Sequence, residues 1–300
     1  MIIDVFTHIW QSRKQLGRLV DSSAPWEGPD ATEILAHFEP RDGAVVLAFQ
    51  SRMLDAEVPN RYVSEFVSAH ADRLVGFACV DPTAKGAVRE LEKAQSNLGL
   101  KGLALSPGSQ GFHPSHTRAF ALYEAAEHLK MPVIFHSGPI PCRHAQMEYD
   151  RPVLLDNVSR SFPDLKIFIA RMGAPWVDET LMLLRKHPNV YAIVGGLLRQ
   201  RWAAYQGLVA AYQLGLTPRL LFGSDYPNAT ASQAIETLYS LNEMTRTGGL
   251  PPIKREQMRG IVERSSLELL GVDWTPQVKS KENNQIEDKE TSNQEVESHG

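Results

Sequence analysis

Arg219-Leu220-Leu221-Phe222-Gly223-Ser224-Asp225-Tyr226-Pro227 decides how the chain is read. Leu220, Leu221 and Phe222 are consecutive, large and apolar, with no polar residue interleaved. A strand of that kind is buried on both faces, as in a parallel sheet covered by helices. It then drops at once into Gly-Ser-Asp. In α/β folds a carboxylate just past the end of a parallel strand stands where the chemistry is done.

Outward from this stretch the pattern repeats. Lys166–Ala170 is apolar and runs into Arg171-Met172-Gly173; Val133–His136 runs into Ser137-Gly138; Ile2–Thr7 runs into His8. Ala44–Phe49, Leu74–Val80, Gly102–Leu105 and Val190–Val194 bring the strands to eight. Between them, apolar residues recur at helical spacing. One helix begins near Asp30, with Asp30 as N-cap before Ile34, Leu35 and Phe38; another has Asn60 as cap before Tyr62, Val63, Phe66 and Val67. Further helices are expected through Val88, Leu91 and Ala94, and over Thr117–Leu129, Pro152–Phe162, Trp176–Lys186, Trp202–Leu214 and Ser232–Leu241. Eight strand–helix units joined by right-handed crossovers predict a closed TIM (β/α)8 barrel. The alternative, an open doubly wound sheet, would need a Gly-rich phosphate turn after the first strand, and the sequence has none there.

Composition agrees. At 300 residues the chain suits one barrel with a short extension. We place the barrel at residues 1–272 and read 273–300, polar and acidic with few large apolar side chains, as a disordered tail. Net charge is −4, from 31 basic and 35 acidic residues without a basic block, which argues against nucleic acid and anionic membranes as partners. Two cysteines, Cys79 and Cys142, form no disulfide framework, and Cys79 reads as a core residue. With no targeting segment and no long apolar run, a cytoplasmic protein is expected.

The strand ends put two imidazoles and one carboxylate, His8, His136 and Asp225, at one mouth. Such ligands suit zinc or a similar divalent ion with an open position for water. Trp176 and Tyr226 are candidate substrate-lining residues. Asp4 is expected to orient His8 or to support the barrel floor. His113, His116, Arg143 and His144 fall in loops around the mouth and are read mainly as packing residues. His37, His70, His128 and His187 sit in or at the ends of helices and carry no assigned role.

These motifs, taken together, resemble the amidohydrolase-related family (amidohydrolase 2) that includes aminocarboxymuconate-semialdehyde decarboxylase. That family usually has Asp-x-His-x-His on strand one, and here the run is Asp4-Val5-Phe6-Thr7-His8. The strand-five histidine matches His136 and the strand-eight aspartate matches Asp225. Phe162–Ala170 continuing through Met172-Gly173-Ala174-Pro175-Trp176, and Gly76–Pro82, are also similar, so the likeness runs from about Ile2 to Gly271. The resemblance implies a metal-dependent hydrolase type of barrel, one divalent metal on His8, His136 and Asp225, a small carboxylated substrate, and a homodimer.

Two positions depart from the family. Phe6 stands where the first metal histidine is expected and Arg171 where the family has an acid/base histidine; Ala174 also replaces a frequent histidine. Phenylalanine cannot ligate, and arginine is protonated at any working pH. Two arrangements therefore stay open: His8, His136 and Asp225 on a metal, or no metal, with Arg171 paired to Asp225 or clamping a substrate carboxylate. In the metal-free case Arg171 and Asp225 are the catalytic residues. The function expected is hydrolysis or non-oxidative decarboxylation; the alternative is an inactive relative that binds a small acid or a protein partner.

Overall fold

The computed structural model describes residues 1–20, 42–137, 142–246 and 249–274. The helix expected near Asp30, His37, and residues 275–300 of the expected tail lie outside the described residues. Among the described residues there are ten strands: β1 Ile3–His8, β2 Gly43–Leu47, β3 Phe49–Ser51, β4 Ala56–Val58, β5 Leu74–Cys79, β6 Leu103–Leu105, β7 Val133–Phe135, β8 Ile167–Ile169, β9 Val190–Ile193 and β10 Leu220–Leu221. Eight of them form one sheet in the order β1-β2-β5-β6-β7-β8-β9-β10, with parallel neighbours. The first and last strands meet across a seam. Val5 N donates to Phe222 O (3.2 Å), Asp225 N to Phe6 O (3.0 Å) and His8 N to Tyr226 O (2.9 Å). The sheet is thus a nearly closed barrel with helices between its strands, the TIM architecture the apolar runs predict.

The core has two layers. Inside the cylinder, Val5, Phe6, Leu47, Phe77, Ile134, Phe168, Ile193 and Leu221 pack together, and Leu267, Leu270 and Val272 from the C-terminal end of the described chain join them. Outside it, Val46, Leu103, Val133 and Ile167 pack against helix residues such as Val63, Leu91, Leu122, Val158 and Leu184. This explains the unbroken apolar runs: successive side chains point into different layers, and both layers are buried. Each such side chain contributes ~1.5–3 kcal/mol on burial.

Two local expectations are corrected. The run Ala44–Phe49 is not one strand: the chain leaves the barrel after Leu47, and Phe49–Ser51 pairs antiparallel with Ala56–Val58. Gln50 makes the break possible, since its polar groups are absorbed by Cys79 Sγ (3.2 Å), Asp81 N (2.8 Å) and Gln110 Nε2 (2.8 Å). Asn60 does not cap its helix. Pro59 precedes the helix Asn60–Ala69, and the Asn60 amide instead clasps the end of β5, accepting from Cys79 N (2.8 Å) and donating to Cys79 O (3.0 Å).

β1 carries a bulge. Asp4 pairs with Ala44 and Thr7 with Val46, so β1 spends one extra residue between them. Asp4 stabilises the irregularity through Oδ1, which accepts from Phe6 N (3.2 Å) and, across the seam, from Ser224 N (2.9 Å).

Candidate active site

At the C-terminal ends of the strands three rings form a triangle. The Phe6 and His8 centroids are 4.9 Å apart, Phe6 and His136 5.0 Å, and His8 and His136 5.1 Å. Phe6 is fully buried and belongs to the inner core, whereas His8 and His136 are half-buried above it. Burial, and then the Arg171 charge, bring the His8 pKa down to about 3. Burial also lowers His136, helped by His8 and Arg171. Both imidazoles are therefore neutral at ordinary pH. His136 Nε2 is buried without a hydrogen-bond partner among the described residues.

Joined to the rings through the Asp225 N–Phe6 O bond is an ion pair. Arg171 Nη2 is 3.3 Å from Asp225 Oδ1 and 3.4 Å from Oδ2. The Asp225 side chain is 2% exposed and that of Arg171 26%, so the carboxylate is enclosed while the guanidinium keeps an open side. Burial raises the Asp225 pKa even though Arg171, Arg199 and a bond from Asn228 Nδ2 (3.3 Å) oppose it. A carboxylate in that state is a stronger base than one in water.

The backbone is bent to build this pair. Arg171 (φ 54°), Met172 (φ 49°) and Gly173 (φ 68°) form a left-handed run directly after β8, and Asp225 is left-handed too (φ 67°). Non-glycine residues held there cost ~1–3 kcal/mol each and concentrate at functional sites. Gly196 (φ 79°), after β9, completes the fit. A Cβ on it would lie 2.8 Å from Arg171 Cγ, 2.9 Å from Arg171 Nε and 3.0 Å from Asp225 Oδ2, so the chain comes closer to the pair than any side chain permits.

Of the residues expected at the site, Phe6, His8, His136, Arg171 and Asp225 are brought together. Tyr226 is buried beside them, its carbonyl taking the His8 N–H in the seam. Trp176 sits with another group: the Arg151 guanidinium lies over its ring at 5.9 Å, and Arg151 pairs with Glu179. Asp4 serves the seam rather than His8, and its burial pushes its pKa up to about 7. The loop residues have packing contacts: His113 stacks edge-on with Tyr149, His116 Nδ1 accepts from Arg118 N (3.2 Å), and Arg143 Nε bonds His144 Nε2 (3.3 Å). Sequence reasoning passed over Gly196, Asn228, Arg199 and Asp150. Asp150 is 3% exposed, accepts from Gly108 N (2.9 Å), and is raised by burial to about 7 against the lowering effect of Arg171. The Gly195-Gly196 pair at the end of β9 was the available signal for a close approach.

A family model described as Amidohydrolase matches residues 3–272. The chain belongs to the amidohydrolase family. No curated protein matches the sequence. Similar solved structures include a probable 2-pyrone-4,6-dicarboxylic acid hydrolase from Acinetobacter baumannii with citric acid bound (TM-score 0.66, 18% identity, covering 90% of this chain and 99% of the other). Another is 5-carboxyvanillate decarboxylase from Sphingomonas paucimobilis (TM-score 0.65, 14% identity, 90% and 99%). A third is a dihydroxybenzoic acid decarboxylase from Polaromonas with bound manganese and an inhibitor, 2-nitroresorcinol (TM-score 0.62, 16% identity, 90% and 96%). At these identities the likeness carries the fold. No helix among the described residues is long and apolar enough to cross a membrane.

A divalent metal is the family's usual partner, and this amidohydrolase can be tested for fit. The neutral imidazoles and the orphaned His136 Nε2 are features a metal would use. Against them, Phe6 fills the third corner of the ring triangle and Arg171 occupies Asp225. Among the described residues no three His, Cys, Asp or Glu side chains are grouped closely enough to hold a metal ion as they stand, although His8, His136 and Asp225 share one mouth. A guanidinium ~5 Å from a dication costs ~7 kcal/mol at an effective dielectric of ~20. The residues present do not fit a divalent metal.

Proposed function

We propose that this amidohydrolase-family protein hydrolyses a small carboxylated substrate, a lactone or ester, without a metal. The observation that carries the reading is the Arg171–Asp225 pair, a half-open guanidinium on an enclosed, strengthened base at the barrel mouth. Arg171 uses only one edge on Asp225, and its planar fork leaves donors for an anionic substrate. When the substrate shares that cation, Asp225 loses part of its stabilisation and becomes more basic. Asp225 then takes a proton from water as the water oxygen bonds to the acyl carbon. The bond from that carbon to the leaving oxygen breaks, and the leaving oxygen takes up the proton. Neutral His8 and His136, on the facing side, donate N–H to the acyl oxygen as charge develops on it.

Hydrolysis is favoured over decarboxylation by the same cation. An arginine on a scissile carboxylate stabilises the ground state and opposes loss of CO2, whereas an arginine holding a carboxylate that does not react leaves the acyl oxygen to the two imidazoles. The fold shared with a probable 2-pyrone-4,6-dicarboxylic acid hydrolase supports a substrate of this kind.

The test is a panel of carboxylated lactones, esters and aromatic acids, assayed before and after exhaustive treatment with a chelator. Hydrolysis of at least one lactone or ester, unchanged by the chelator and reduced ~10²–10⁴-fold in Asp225→Asn, is expected. Chelator-sensitive turnover returns the metal reading. A protein that binds acids yet turns over none of the panel is the inactive relative instead.

A further inference from the structure

The turn that follows β6 is tied down by hydrogen bonds, yet one buried atom in it is left over. Ser106 ends the strand, and Pro107–Gln110 forms a buried helical turn behind it. Gln110 N donates to Ser106 O (2.7 Å), and Ser106 N donates to Gln110 Oε1 (2.8 Å). Gly108 N donates to Asp150 Oδ1 (2.9 Å), Gly108 O accepts from Gln146 N (2.8 Å), and Ser109 O accepts from Ser51 Oγ (2.6 Å). Ser106 Oγ, on a residue 1% exposed, has no hydrogen-bond partner among the described residues. A buried hydroxyl in that state destabilises a fold, and alanine in its place would remove the penalty.

The strand register shows where the hydroxyl points. Leu103, Ala104 and Leu105 of β6 pair with Val133, Ile134 and Phe135 of β7. Leu103, Leu105, Val133 and Phe135 belong to the outer core layer, Ala104 and Ile134 to the inner one. His136 N donates to Leu105 O (2.7 Å), so the ladder continues past the last paired residues. Alternation then turns Ser106 and His136 into the barrel, side by side. The His136 ring agrees, since it meets inner-core Phe6 at 5.0 Å. His136 Nε2 is itself buried without a partner among the described residues. Two unsatisfied polar atoms thus stand on neighbouring strands and on one inner face. Neighbouring strands lie ~4.8 Å apart, so one oxygen atom can accept from both. β6 is the fourth strand of the eight, and Asp225 follows the eighth, half a circuit away.

We propose that Ser106 is a further catalytic residue, its hydroxyl joining His136 Nε2–H on the acyl oxygen, across the barrel from Asp225. The inference rests on the hydrolysis reading above. As the water oxygen bonds to the acyl carbon, the carbonyl π pair moves onto the acyl oxygen and both donors tighten on it. The pair returns when the bond to the leaving oxygen breaks, and neither donor gives up its proton. Donors fixed in advance need no reorganisation when charge appears, and the tied turn behind β6 fixes this one.

The test uses mono-4-nitrophenyl glutarate as the ester probe, with 5-oxohexanoate and hexanoate as unreactive binding probes. Ser106→Ala is expected to lower kcat about 10²–10³-fold and leave KM within about fivefold, because the bond strengthens as charge develops. Ser106→Thr, which keeps the hydroxyl, should restore at least about tenfold of that loss. In calorimetric titration, affinity for 5-oxohexanoate relative to hexanoate, which lacks the keto oxygen, should fall about fivefold in Ser106→Ala. Since Oγ has no partner to lose, the melting temperature of Ser106→Ala should equal or exceed the parent's. A lower melting temperature, or equal rate losses in the alanine and threonine variants, makes Ser106 a packing residue and overturns the inference. An unchanged kcat in Ser106→Ala, with Asp225→Asn inactive, overturns it too and leaves the Arg171–Asp225 reading standing. If the parent leaves the ester intact, the hydrolysis reading fails and the titration decides: an unchanged ketone-to-hexanoate ratio overturns the inference, and the fivefold fall upholds Ser106 as a donor to a ligand oxygen. No turnover and no binding of either acid overturns both.

Discussion

Replacing Arg171 with methionine removes the guanidinium, keeps much of its aliphatic bulk, and leaves Asp225 charged in an enclosed position. At ~4 Å and an effective dielectric of ~20 the lost attraction is ~4 kcal/mol. Two features reduce it. Arg171 keeps a 26% exposed side chain, so water already screens it, and its contacts with Asp225, at 3.3 and 3.4 Å, are longer than ideal charged hydrogen bonds. A loss of ~2–3 kcal/mol is expected for Arg171→Met. Asp225→Asn should cost less, ~1 kcal/mol, because the orphaned guanidinium can turn to solvent. The double variant should resemble Asp225→Asn alone, since with no carboxylate there is no stranded charge. Urea unfolding of the parent, both single variants and the double closes the cycle. An interaction of at least ~1.5 kcal/mol is expected. Additivity within ~0.5 kcal/mol would refute the argument that the pair is one electrostatic unit.

The Phe6→His/Arg171→His variant should acquire zinc or manganese that survives dialysis, seen by elemental analysis, where the parent and a Phe6→Leu/Arg171→Met control retain none; no gain would mean that these two positions are not what excludes the ion. Gly196→Ala should lower stability by ~2 kcal/mol, because alanine is disfavoured at φ 79° and its Cβ would lie 2.8 Å from Arg171 Cγ, and a calorimetric melting temperature equal to the parent's would disprove the close approach. Asp150 should make the protein less stable as pH rises: its folded pKa of about 7 lies above the unfolded value of 3.8, so its contribution is full below pH 3.8 and lost as pH climbs through 7. His8 acts in the opposite sense, its folded pKa of about 3 lying below 6.5, so its contribution is full above pH 6.5 and lost on acidification towards 3. Asp150→Asn should remove the first slope only, gaining up to ~4 kcal/mol on the parent between pH 4 and pH 8 in urea titrations, and parallel profiles would contradict the assignment.

The barrel was legible because its signal is local and redundant. Eight apolar runs without alternation each demand burial on both faces, and one misjudged end leaves the count unchanged. That these residues share one rim was legible for a related reason: Phe6 and His8 lie in the last half of β1, His136, Arg171 and Asp225 lie just beyond β7, β8 and β10, and parallel strands in a barrel end together. What the sequence did not disclose depends on residues far apart in the chain. That Asn60 serves β5 rather than its own helix requires knowing where Cys79 lies. The hairpin at Phe49–Val58 depends on Gln50 finding partners in two other loops. Whether Arg171 faces a substrate or Asp225 turns on a left-handed run whose φ values no residue type there announces, since Arg171 and Met172 are not glycine. Asp150 and Arg199 were missed because neither follows a strand directly; each lies on a helical turn within a connecting loop.

The seam has a consequence for assembly. Phe6 and Asp225 are joined through backbone atoms, and Asp4 grips Ser224, although these residues stand near opposite ends of the described chain. Asp225, the proposed base, is therefore positioned by the same contacts that weld the first strand to the last. Contacts so distant in sequence form late and slowly, because the long intervening loop must be closed before they return any free energy. A partly folded or partly synthesised chain can hold most of its helices and still possess no working carboxylate. On the proposed function, catalytic competence becomes a readout of circumference: the reaction can begin only after the last stave of the cask has met the first.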